Sequence, residues 1–211
     1  MSNPQPQTIK SHELLLEKQQ KELGVTDPIT LETASDLILT YMAESMLDRA
    51  EPLLRETLAH QRAQHGADSG LALLSQALLG TMCAELGKLD EALVHQEAAL
   101  ATRLQVFGAE HPDTVITMID LAITHTQARD LEAAGALLKR ALPLATKVLG
   151  PGHTHTTLAV DLSETVFKNL DDGYGHKVKK YYRDQLTDAE RKEQAAQKRA
   201  KRKAMRKRGK R

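Results

Sequence analysis

FGAEHPDTVITMIDLAITHTQARDLEAAGALLKRAL, residues 107–142, holds one full period of the pattern on which this chain is built. Gly108 stops the helix that precedes it. His111-Pro112-Asp113-Thr114 opens a second helix, a polar turn follows, and a third helix begins at Leu131. Glycine suits the left-handed residue that ends a helix, and proline at the first helical position loses no hydrogen bond. The same grammar recurs at a fixed interval. Gly24, Gly66, Gly108 and Gly150 stand 42 residues apart. Helix-start signals follow in step at Asp27-Pro28, Ser69-Gly70, His111-Pro112 and His153-Thr154. Leu37, Leu79 and Leu121 keep the register, as do Ala50, Ala92 and Ala134, and Leu58, Leu100 and Leu142.

Self-similarity at such a period marks a repeat architecture in which each unit buries its apolar face on its neighbours. The expected fold is all-α, with helical hairpins at 27–66, 69–108 and 111–150. A fourth, degenerate unit spans 153–170, because Ser163 replaces the leucine and Glu164 the small residue, and His176 replaces the alanine beyond it. Residues 11–24 read as a capping helix, with Leu16 one period before Leu58. Residues 1–10 read as disordered, 171–186 as a capping segment, and 187–211 as a basic tail, helical or disordered. Asp48, Asp90 and Glu132 are expected to cap the second helices.

Aromatic residues are only 3% of the 211 and Trp is absent, so the core must be built from Leu, Ala, Ile and Val. That composition suits helix-on-helix packing. The net charge of +1 conceals a split. Residues 190–211 hold 12 basic and 2 acidic side chains, a local charge of +10. The remaining 17 basic and 26 acidic residues leave the body at −9. One cysteine, Cys83, permits no internal disulfide. No apolar run approaches the roughly 20 residues that span a bilayer, and MSNPQPQTIK lacks the apolar core of a secretory signal. The expectation is an intracellular, cytoplasmic protein, with the tail as a candidate nuclear signal.

The aligned positions resemble a tetratricopeptide repeat: Leu79-Gly80, Ala92 and Ala99-Leu100, then Leu121-Ala122, Ala134 and Ala141-Leu142. The 42-residue period and the G-x-x-H-P-D-T pattern of residues 108–114 resemble the kinesin-light-chain subtype over roughly residues 11–170. The resemblance implies a helical-hairpin solenoid, a right-handed superhelix whose first helices line a concave groove for peptide segments. It places partner contacts at Ser35, Leu39, Ala77, Thr81, Ile116, Ile119 and Ile123. Where light chains carry groove asparagines, this chain has Ser35-Asp36, Ala77-Leu78, Ile119-Asp120 and Asp161-Leu162. The heptad coiled coil that joins a motor heavy chain is absent from residues 1–24.

The helix that starts at Pro112 carries two apolar stripes. Val115, Met118, Ala122 and His125 form one, and Ile116, Ile119 and Ile123 the other. One must meet the second helix. The other is either buried against the next repeat or lines the groove as an apolar floor. The nine histidines invite a metal reading, but neither HExxH nor a structural-zinc spacing occurs. His111 and His153 are better placed to cap helices. Cys83 shares an aligned packing position with Tyr41, His125 and Phe167 and reads as an inert core thiol. No phosphate loop, dinucleotide fingerprint or G-x-S-x-G is present, so no enzyme, cofactor or metal is expected.

The leading functional expectation is a scaffold that holds a partner peptide or helix. A second is a nucleic-acid-associated adaptor, nuclear or nucleolar. There Lys198, Arg199, Lys201, Arg202, Lys203, Arg206, Lys207, Arg208, Lys210 and Arg211 would contact RNA, DNA or another polyanion, or serve as a targeting signal. A kinesin-light-chain-like cargo adaptor is the third. The oligomeric state is left open.

Overall fold

The computed structural model describes residues 6–170 and 173–185, and every regular element among them is an α-helix. The chain divides into two units, residues 1–108 and 109–211. The first contains α1 (Pro6–Glu22), α2 (Pro28–Ala43), α3 (Leu47–His65), α4 (Gly70–Glu85) and α5 (Leu89–Val106). The second contains α6 (Pro112–Gln127), α7 (Leu131–Val148), α8 (Thr154–Asn169) and α9 (Tyr174–Gln185). Within each unit every helix packs on the next in chain order, and α6 also touches α8.

The even-numbered helices start alike. Asp27 Oδ1 accepts from the Ile29 amide at 2.9 Å, and Ser69 Oγ from Ala72 at 3.3 Å. His111 and His153 use Nδ1 to accept from Asp113 and His155, each at 3.2 Å. Each cap satisfies one amide that the first helical turn leaves without a partner. The loops between hairpins turn at Gly24, Gly66, Gly108 and Gly150, with φ between 81° and 95°. That left-handed region penalises any residue with a Cβ.

The turns inside the hairpins share a second device that the 42-residue glycine series does not announce. Ser45, Gly87 and Arg129 also stand 42 apart and have φ of 60°, 76° and 66°. The residue after each reaches back five positions: Met46 N–H to Tyr41 O, Lys88 to Cys83 and Asp130 to His125, at 2.8–2.9 Å. This is the Schellman closure. Asp48, Asp90 and Glu132 lie inside the first turns of α3, α5 and α7 and do not cap them. Met46 and Lys88 offer no side-chain cap, and Asp130 caps α7 through Ala133 at 3.0 Å. The acidic residues act on the helix dipole instead.

The core of the first unit gathers Leu16, Leu37, Ile38, Tyr41, Leu54 and Met82 around Ala50 and Ala92. In the second unit Val115, Met118, Ile119, Leu138, Val166 and Phe167 are fully buried. Small residues set the helix spacing. A Cβ at Gly80 would lie 2.6 Å from Gln96 Cγ, and one at Gly175 would lie 2.8 Å from the Ser163 carbonyl oxygen.

Two boundaries differ from the sequence expectation. α1 starts at Pro6, so residues 6–10 are helical, with proline in the first turn where it is tolerated. Residues 174–185 form α9, packed on α8 as the second helix of a fourth hairpin. The small residue missing at Glu164 is supplied from the opposite side by Gly175, which lets α9 approach the α8 backbone. Residues 1–5 of the expected disordered N-terminus, and residues 198–211 of the expected polyanion-binding tail, lie outside the described residues.

Candidate functional site

In a helical hairpin the first helix buries one side on its partner and leaves another open. In α2 the open side carries Ile29, Glu32, Asp36 and Leu39, at i, i+3, i+7 and i+10, all exposed. One repeat later α4 presents Leu71, Leu74, Leu78 and Thr81. Leu39 and Leu71 are 57% and 56% exposed, and it is the clustering of such side chains, not a single one, that marks an interaction surface. Leu78 and Thr81 are half-buried. Four leucine or isoleucine side chains in open water beside two carboxylates form an apolar face with an acidic margin.

The second unit repeats the arrangement with a different surface. On α6 the corresponding residues are Asp113, Ile116, Asp120 and Ile123, and on α8 they are His155, Leu158, Leu162 and Thr165. Ile116 and Ile123 are half-buried. His155 Nε2 lies 3.6 Å from Asp120 Oδ1 and ties the start of α8 to α6. Despite that carboxylate, burial holds the His155 pKa below its ordinary value. Its Nδ1 is buried and lacks a hydrogen-bond partner among the described residues, so a proton there would be unsatisfied.

The residues named from the resemblance therefore fall in different places. Leu39 is open, and Ile116 and Ile123 are partly open. Ser35 and Ala77 are half-buried at the margin, and the Ser35 hydroxyl donates to the Leu31 carbonyl at 2.9 Å. The Thr81 hydroxyl donates likewise to Ala77 at 3.3 Å. Ile119 is 0% exposed and belongs to the core, so it offers no surface to a partner. The open register runs through positions 36, 78 and 120, one residue after the 35, 77 and 119 of the sequence reading. Ile29, Leu71 and Leu74, which the resemblance does not name, share that open register. Their signal is present in the sequence as the stripe spaced three, four and three residues through Ile29 and Leu39.

A charged cluster sits elsewhere in the first unit. Glu51 of α3 accepts from Arg55 at 2.8 Å and from Lys88 at 2.5 Å, and Arg55 also reaches Glu91 of α5 at 2.5 Å. Cys83 Sγ lies 3.8–3.9 Å from Glu91 and Arg55. The hydrogen bonds from Lys88 and Arg55 hold the Glu51 carboxyl below its usual pKa, while burial pushes the Cys83 thiol up. Glu51, Cys83 and Glu91 bring ligand atoms within 4.8 Å of one another, the spacing of a metal site. Two cations already neutralise the carboxylates, so a metal would have to displace Arg55 and Lys88 and take the proton from a thiol whose ionisation burial disfavours. The cluster joins α3 to α5 across α4.

The tetratricopeptide repeat family model matches residues 29–102 and 73–147, together more than half of the chain. Among solved structures, a single-residue variant of a Podosopora anserina kinesin light chain with nearly identical TPR-like repeats superposes with a TM-score of 0.75. It is 20% identical, and the match covers 88% of each chain. BtubC (BKLC) from P. vanneervenii gives 0.67 at 21% identity, over 87% of this chain and 75% of that one. At such identities the likeness is one of fold. The secreted RxLR effector protein RXLR-C07 of Plasmopara halstedii is 27% identical over 173 residues. That match takes in 81% of this chain, which spans half the length of that relative.

Proposed function

The chain belongs to the tetratricopeptide repeat family, and from that premise we propose that it is a non-catalytic scaffold that holds a partner peptide or helix on the open faces of its first helices. The observation that carries this reading is the set of exposed apolar side chains Ile29, Leu39, Leu71 and Leu74 on α2 and α4. Glu32 and Asp36 beside them favour a partner with apolar anchors and a basic flank. Fold likeness to kinesin light chain repeats supports the binding class. The side chains on these faces set which partner is taken, and asparagines do not stand at positions 36, 78 and 120. The test is a pull-down comparing the wild-type chain with a Leu71→Glu/Leu74→Glu variant. Both residues are exposed, so the variant should keep its helical circular dichroism and melting temperature and lose the partner. A partner retained at wild-type level would sink the proposal.

The charge split supports a second activity of the same chain. Ten Lys and Arg side chains stand among residues 198–211, the composition of a phosphate-neutralising arm. Deleting residues 191–211 should abolish salt-sensitive binding to RNA and leave partner capture intact. RNA binding that survives the deletion removes this second reading.

A further inference from the structure

Within each unit, the space between the two helices that flank an even-numbered helix is filled differently from place to place. Between α1 and α3, over α2, it is charged: Glu13 accepts from Arg49 at 2.8 Å and from the Tyr41 hydroxyl at 2.7 Å. Between α3 and α5, over α4, a polar plug closes it. Arg62 donates to Gln76 Oε1, and the Gln76 amide nitrogen lies 2.7 Å from His95 Nδ1 and 3.2 Å from the His95 carbonyl. Two repeats further on, 84 residues along the chain, the same three positions are Thr146, Val160 and Lys179. The arginine and glutamine are gone, and Lys179 is drawn away into an ion pair with Glu164.

What remains between α7 and α9, over α8, is a cavity of about 300 Å³. Pro143 and Thr146 line it from α7, Val160 from α8, and Tyr174 and Val178 from α9. The Tyr174 ring is set edge-on against Phe167, with centroids 4.9 Å apart. Lys177 is the one charged residue among the described residues of the lining. It is exposed and makes no ion pair among the described residues.

We propose that this cavity is a binding site for a small anionic amphiphile of the medium-chain carboxylate class. The chain would lie along Pro143, Val160 and Val178, and the carboxylate would pair with Lys177. Three observations support that occupant. The volume lies at the lower end of the range for small-molecule sites, about 300–1,000 Å³, and exceeds what a single partner side chain would fill. The walls offer few polar groups, so water gains few hydrogen bonds there. Among the described residues the lining includes a cation and no carboxylate, which favours an anionic head over a cationic one.

The probe is decanoate, below its micelle concentration, titrated calorimetrically into the full chain, with decylamine as the charge control. Decanoate should bind saturably at one site. Thr146→Arg with Val160→Gln, which rebuilds the α3–α5 plug, should weaken it by at least about tenfold, a change of about 1.4 kcal/mol. Lys177→Glu should do the same. If the double variant does not fold, the exposed Lys177→Glu change alone decides. Absence of saturable binding, binding indifferent to both variants, or decylamine binding as tightly as decanoate would each overturn the proposal. So would a dimer dissolved by the plug variant in a chain that takes up no decanoate, which assigns the cavity to a second copy.

Discussion

Ile119 has no accessible surface, whereas Leu74 on the open face of α4 keeps 59% of its own. Both are apolar residues of first helices, and periodicity alone does not separate them. α6 is apolar on more than one side, so Ile116, Ile119 and Ile123 read as one stripe although the middle residue points into the core. The consequence is measurable. Ile119→Ala should cost about 2–4 kcal/mol through lost burial and a cavity, and Leu74→Ala should stay within about 0.5 kcal/mol. Urea denaturation of the two variants checks this, and equal losses would show that the open face of α4 is covered. Glu51 is legible in the sequence only as the start of a Glu51–Arg55 pair four apart. Lys88 joins it from a different hairpin, a contact no local pattern reveals. Glu51→Gln should lower stability by roughly 1–2 kcal/mol, because it weakens two charge-assisted bonds whose cationic partners stay partly solvated. A variant as stable as the parent would show that the cluster is neutral in the folding balance.

Hairpin geometry is where sequence reading went furthest and where it left a regular feature unread. The loops between hairpins were announced by glycines 42 apart. The turns within hairpins use the same left-handed conformation with serine, glycine and arginine, and only Gly87 advertises it. A non-glycine residue there is disfavoured by about 1–2 kcal/mol, against an entropic cost of about 0.5–1 kcal/mol for glycine. Ser45→Gly and Arg129→Gly should therefore each stabilise by about 0.5–1 kcal/mol, and Gly87→Ala should destabilise by a similar amount. Melting temperatures that move in the opposite directions would refute the assigned turn. The fourth hairpin teaches the complementary lesson. Its sequence looks degenerate because the small residue is sought at Glu164, whereas the close approach is made by Gly175 on the other helix. Gly175→Ala would place a Cβ 2.8 Å from a backbone oxygen that cannot swing aside. It should loosen α9 from α8, seen as faster amide exchange in α9 with α6 and α7 unchanged. Exchange unaltered in α9 would mean the contact relaxes without cost.

For the whole molecule, the period made the architecture readable, because one arithmetic interval fixes cores, caps and loops together. The titration behaviour was not readable, because it depends on burial that composition does not reveal. Each unit holds one histidine whose folded pKa lies below the ordinary value of about 6.5: His95 through burial and then the nearby Arg55, His155 through burial. A base with a depressed folded pKa takes its proton more readily when unfolded. Between the folded and unfolded values the unfolded chain binds more protons, so stability rises with pH there. It is fully present above about pH 6.5 and declines as the pH falls through the folded values. Tyr41 sets the opposite limb. Burial and the Glu13 hydrogen bond push its phenol up to about 12. The unfolded phenol ionises near pH 10, so stability is lost as the pH climbs from about 10 through the folded value. Thermal midpoints between pH 5 and 8 should therefore fall toward acid. His95→Gln, which can still accept from Gln76, and His155→Gln should each flatten the slope, and together they should leave little of it above the carboxylate range. Tyr41→Phe should reduce the alkaline loss, leave the share carried by the raised Cys83 thiol, and leave the acid limb untouched. A double-histidine variant that kept the parent's full acid slope would show that other groups carry the pH dependence.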